Sequence, residues 1–120
     1  MIDLTRYMRM PYIEGGRSFD GSDCWGLVYL VFKHELDIEL PDPGLVDFVP
    51  EELMRQFSAV EDPAEYDIFL ITRKPYHLHI GVMIGPGVLH IGYNGAVYEA
   101  PGRLPGWKTA KWYRYKAFDS

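Results

Sequence analysis

The sequence predicts an α+β domain, and three observations carry that reading. Apolar residues recur at helical spacing in the first third of the chain. Short β-branched and aromatic runs, separated by turn dipeptides, fill the second half. A chain of 120 residues that is 48% hydrophobic and 24% charged suits one ordinary globular domain. Residues 1–120 are therefore read as a single domain of N-terminal helices packed on an antiparallel sheet of about five strands.

The elements follow in order. Leu4, Tyr7 and Met8 fall at helical spacing, so residues 2–9 form a short helix that ends before Pro11 and lies as a lid on the core. Residues 12–21 form a loop, freed by Gly15, Gly16 and Gly21. From Asp23 to about Leu36, Leu27, Val28, Val31 and Phe32 recur at i, i+3, i+4, and Leu30 and Leu36 widen the stripe into that of a largely buried helix. His34 falls in its last turn, and Pro41, Pro43 and Gly44 follow in a turn-rich segment. A further short helix is expected over 50–59, with Pro50 at its start, Glu51 and Glu52 suiting the N-terminal dipole, and Leu53, Met54 and Phe57 facing the core. Strands are expected over 67–72, 77–85, 88–93, 96–100 and 111–117, joined as a meander through Gly85-Pro86-Gly87 and the hairpin dipeptide Asn94-Gly95.

Charge and composition remove several classes of function. A formal charge of -5 does not suit nucleic acid as the main partner, because phosphate binding requires a concentrated basic surface. Lys108, Lys111, Arg114 and Lys116 alternate with Tyr113 and Tyr115 as the wet face of a strand would. The Gly15-Gly16 and Gly85-Pro86-Gly87 runs lack the strand-loop-helix setting of a phosphate cradle. Met1 to Met10 has no long apolar segment, which predicts neither a signal peptide nor a membrane span. Synthesis is then expected in the cytoplasm, with any later destination reached by assembly or lysis.

Cys24 is the one cysteine, so no disulfide frames the chain. A lone cysteine is more often a buried thiol than a reactive one. Here Ser22 and Asp23, both capping residue types, place it where a helix begins, and a helix N-terminus favours thiolate over thiol. His77 and His79 share one face of a predicted strand, and His90 lies on the next strand across the 85–87 turn, close to opposite His79. A cysteine at a helix start, a strand histidine and a second polar group to orient it follow the logic of a nucleophile triad. Cys24 with His77, His79 and His90 also holds the ligand types of a zinc site, the lower-ranked alternative.

The string Tyr12-x-x-Gly15-Gly16, Gly21-x-Asp23-Cys24-x-Gly26-Leu27-Val28, His79-x-Gly81 and Leu89-His90 resembles the NlpC-type papain-like cysteine peptidases, which cut cell-wall peptides. The resemblance runs from about residue 11 to residue 92. It implies a papain-like fold, Cys24 as nucleophile, His79 as general base and acid, and His90 as the group that orients the imidazole, with no cofactor. It further implies that Tyr12 helps to hold an oxyanion and that Asp23, besides capping the helix, binds a cationic group of the peptide. The family usually places serine after the cysteine; this chain has Trp25, which the resemblance sets with Tyr12 and Asp23 among the oxyanion and substrate-binding residues. The string Asp23 to Val28 is similar to the branch found in phage tails and prophages, which implies a virion-associated protein acting on peptidoglycan stem peptides, with other tail proteins as partners. The other class of function is an assembly module without catalysis, using Trp107, Trp112, Tyr113 and Tyr115 to dock.

Overall fold

A computed structural model describes residues 2–42, 54–72 and 78–119. His77, Pro43, Gly44 and the 50–53 stretch with Pro50, Glu51, Glu52 and Leu53 lie outside the described residues.

Helix α1, Thr5–Met8, is one turn long, and the Asp3 carboxylate accepts from the Thr5 N–H at 2.9 Å. Tyr7 is fully buried and donates its hydroxyl to Glu35 at 2.6 Å. Arg6 meets the same carboxylate at 3.2 Å, so the turn is fastened to the far end of the long helix. Met8, expected to face inward, is 41% exposed. The helix stops there, and the turn that follows, closed by the Met10 N–H on the Tyr7 carbonyl at 3.1 Å, brings Met10 into the core instead.

The stretch expected as loop contains a two-residue hairpin, β1 (Arg17–Ser18) and β2 (Gly21–Ser22). Strands this short leave no alternating pattern to read. Helix α2, Cys24–Leu36, then runs as expected: Asp23 is its N-cap, accepting from the Gly26 N–H at 2.8 Å, and seven of its residues from Trp25 to Phe32 are buried. It ends at Asp37, before the prolines. Asp37 takes the left-handed conformation (φ 55°), and the Ile38 N–H closes back on the Phe32 carbonyl at 3.0 Å.

The described residues form a sheet of six strands rather than five: β3 (Phe57–Val60), β4 (Ile68–Ile71), β5 (His79–Ile84), β6 (Gly87–Gly92), β7 (Gly95–Glu99) and β8 (Lys111–Tyr115). All pairs are antiparallel in the order β3-β8-β4-β5-β6-β7. Only β4 to β7 form the expected meander, because β8 returns across the sheet and inserts beside β4. Residues 57–60 are strand, not the end of a helix. Phe57 and Met54 do pack at the core, but pairing with β8 (Phe57↔Tyr115, Val60↔Trp112) overrides their helical spacing.

Both turns singled out in the sequence close hairpins. Ile84 pairs with Gly87, leaving Gly85 (φ 56°) and Pro86 between them, so glycine holds the first central position as a type II′ turn requires. Tyr98 on β7 locks this turn, donating to the Ile84 carbonyl at 2.6 Å and accepting from the Gly87 N–H at 3.1 Å.

The central strands are buried on both faces, which is why β4 and β5 read as apolar runs. On one face Ile68, Leu70, Ile80, Val82, Ile84, Leu89 and Ile91 pack with α2 and α1. On the other, Phe69, Ile71, Met83 and Val88 form a smaller cluster with Leu104, Ala110 and Trp112. The aromatic strand β8 is accordingly core more than docking surface. Trp112, Tyr113 and Tyr115 pack against these clusters, and Trp107 alone of the four is strongly exposed, at 45%. Arg114 is not part of a solvated face either: its guanidinium grips the fully buried Asp67 through two bonds of 3.0 and 2.8 Å. Among the described residues no helix is long and apolar enough to cross a membrane.

Candidate active site

Asp23 fixes the start of α2 from three directions. One carboxylate oxygen accepts from the Gly26 N–H and from Arg17 (both 2.8 Å), and the other from the Gly15 N–H at 2.9 Å. Arg17 in turn reaches Asp42 at 3.0 Å. Gly26 is needed because a Cβ there would overlap the Gly16 carbonyl oxygen, so the loop and the helix lie in direct backbone contact. The capping role expected of Asp23 is present, and its carboxylate is also paired with Arg17.

Cys24 thus begins α2 at a fixed place, partly buried beside the backbone of Ile80, the second residue of β5. Its thiol does not follow the expectation drawn from helix position alone. Burial pushes the pKa above the ordinary cysteine value, the nearby Asp23 charge adds to this, and hydrogen bonding from the Ile80 backbone only offsets it. The resting group is the thiol, which requires a base.

His79 and His90 are both buried, and His79 Nε2 lies 3.0 Å from His90 Nδ1. The β5-β6 register explains the meeting. Val82 pairs with Leu89, so His90 falls diagonally across from His79 on the same face. Gly81 stands between them, where a Cβ would overlap the ring of Phe69. That ring instead lies against both imidazoles, with centroids 5.6 and 6.3 Å away. Burial, and secondarily the neighbouring His90, hold the His79 pKa down to about 3. His79 is therefore a neutral imidazole at neutral pH, able to accept a proton.

That shift has a stability consequence. Unfolded, His79 takes a proton near its ordinary value of 6.5; folded, it does so only near 3. The unfolded state is the proton-rich one between these values, so stability should fall as pH drops below 6.5, by up to about 1.4 kcal/mol per pH unit from this group. Urea midpoints measured at about pH 7 and about pH 5 should show this loss, and His79→Gln should flatten it.

Tyr12 lies close enough to Cys24 for the thiolate charge to raise its pKa, after the larger effect of burial, to about 12. Its hydroxyl keeps its proton and remains a donor. Its ring meets that of Tyr93 edge-on at 4.8 Å, and Tyr93, at the tip of the β6-β7 hairpin, is 88% exposed. Trp25, expected among the substrate-binding residues, is 2% exposed within the main core. One helical step of roughly 100° carries position 25 away from the surface that Cys24 borders. Its Nε1 and the Ser22 Oγ have no hydrogen-bond partner among the described residues.

The sequence reading passed over Glu99, whose Oε2 lies 2.7 Å from His90 Nε2. The signal was present: once the Asn94-Gly95 hairpin sets the β6-β7 register, His90 pairs with Val97, and Glu99 is the next residue on that face. For the zinc arrangement, no group of three His, Cys, Asp or Glu side chains able to hold a metal occurs among the described residues.

A solved structure described as similar to a lipoprotein of the NLP/P60 family, from Staphylococcus aureus subsp. aureus Mu50, matches with a TM-score of 0.63 at 20% identity. The match covers 93% of this chain and 38% of that one, so the chain spans well under half the length of that relative. A search of curated proteins finds no match. The sequence matches the NlpC/P60 family over residues 9–112, which include Tyr12, Cys24, His79 and His90. With most of its length matched and the fold in agreement, the chain belongs to the NlpC/P60 family.

Proposed function

We propose that the protein is a cysteine peptidase that hydrolyses amide bonds in peptidoglycan stem peptides, with Cys24 as nucleophile, His79 as base and acid, and His90 as the group orienting His79. Membership of the NlpC/P60 family points to a cell-wall peptidase. The observation that carries the residue roles is the 3.0 Å contact between His79 Nε2 and His90 Nδ1, which leaves His79 Nδ1 as the nitrogen not engaged with His90.

In this mechanism His79 Nδ1 takes the thiol proton as sulfur attacks the carbonyl carbon. The negative charge that develops on the carbonyl oxygen is held by the Cys24 N–H, aligned with the helix start, and by the Tyr12 hydroxyl. The imidazolium returns the proton to the leaving amine as the C–N bond breaks. Water, deprotonated by His79, then cleaves the thioester to release a carboxylate and restore the thiol. A place in a phage tail, acting on the wall from a virion, belongs to the same proposal and draws on the string from Asp23 to Val28.

Purified peptidoglycan fragments should be incubated with the protein before and after alkylation by iodoacetamide, which has one cysteine to modify. The untreated protein is expected to split stem peptides into products whose masses sum to the parent plus one water, and the alkylated protein to leave them intact. Identical products from both preparations would sink the thiol mechanism; intact fragments from both would leave the assembly role.

A further inference from the structure

The hydrogen-bond chain from His79 continues past His90 to Glu99, whose side chain is 23% exposed on the edge strand β7. A neutral imidazole carries its proton on one nitrogen and accepts at the other, while a carboxylate only accepts. Direction therefore passes along the chain from its carboxylate end. Glu99 Oε2 requires the proton on His90 Nε2. His90 Nδ1 is then an acceptor, His79 Nε2 must donate to it, and His79 Nδ1 is left with a lone pair. Run in reverse, the same two rings would put a proton on His79 Nδ1 and remove its basicity there. Two imidazoles alone have no reason to prefer either direction.

We propose that Glu99 is a positioning residue that sets the tautomers of both histidines and so keeps the lone pair of His79 on Nδ1. Glu99 from β7 and the ring of Phe69 from β4 both face the pair. The tautomers themselves do not depend on the peptidase reading; only the use made of the lone pair rests on it.

The test is nitrogen-15 NMR of protein labelled at histidine, which reports which ring nitrogen carries hydrogen. In the wild type at about pH 7, both rings should carry it on Nε2. In Glu99→Gln the amide can either donate or accept, so a mixture of tautomers should appear with packing retained; Glu99→Ala should shift the population at least as far. The rate of Cys24 alkylation by iodoacetamide should fall about tenfold in both variants, less than the ~10⁴ seen when a carboxylate directly on the base is neutralised, because Glu99 acts one ring further out. The proposal is overturned if both variants keep the wild-type tautomers, if wild-type His90 is doubly protonated, or if tautomers shift without any change in alkylation rate. Failure of the wild type to cut peptidoglycan would sink the peptidase reading and leave the tautomer result standing.

Discussion

Cys24→Ala is expected to lower turnover of a stem-peptide substrate by about 10⁴-fold or more, with KM little changed. The magnitude follows from what is lost. Without the sulfur, neither the covalent intermediate nor the proton transfer to His79 takes place, and only binding and oxyanion stabilisation persist; removing a nucleophile from such a unit costs about 10⁴ to 10⁶. The fold should be untouched, because the helix start is held by Asp23, Arg17 and Gly15, not by the thiol. Steady-state kinetics beside urea midpoints separate the two effects. A variant retaining more than about one hundredth of wild-type turnover would remove Cys24 from the nucleophile's role.

The largest loss of stability is expected from Arg114→Ala. Asp67 is fully buried at the start of β4, and its carboxylate is served by two guanidinium bonds and by the Ala64 N–H at 2.7 Å. Removing the guanidinium strands a charge in the interior, a change that costs about 3 to 5 kcal/mol, whereas the pair itself is worth far less than that. For a chain of this size, thermal unfolding should come roughly 10 °C earlier or more. The double variant Arg114→Ala with Asp67→Asn should recover part of the loss, since the buried group is then neutral. Equal destabilisation in the single and double variants would show that packing, not charge, is what Arg114 contributes.

How far the molecule was legible in its sequence can be read from particular residues. Helix α2 was clear to within a residue at each end because a cap and a wide apolar stripe agree. The hairpins at Gly85 and Gly95 were clear because glycine at positive φ leaves a local signature. His79 and His90 were placed together by counting across the first of these turns, and the same count across the second would have reached Glu99. What was hidden depends on distant partners. Residues 57–60 are a strand only because β8 pairs with them, and β8 lies beside β4 through a return that no local pattern encodes. The Cys24 pKa was misjudged for a related reason: helix position is local, whereas the burial that dominates it comes from the sheet. The place of Trp25 is hidden for the same reason: position after the cysteine is local, while the packing of α2 on the sheet turns its side chain into the core.

That burial of Trp25 divides the site by evolutionary freedom. Cys24 is followed at once by core residues, so any change that shifts it must also unpack α2 from the sheet. Tyr93, 88% exposed and stacked edge-on against Tyr12, carries no such obligation. Substitution at Tyr93 can then vary the surface beside Tyr12 without unpacking the core that holds Cys24 at the start of α2.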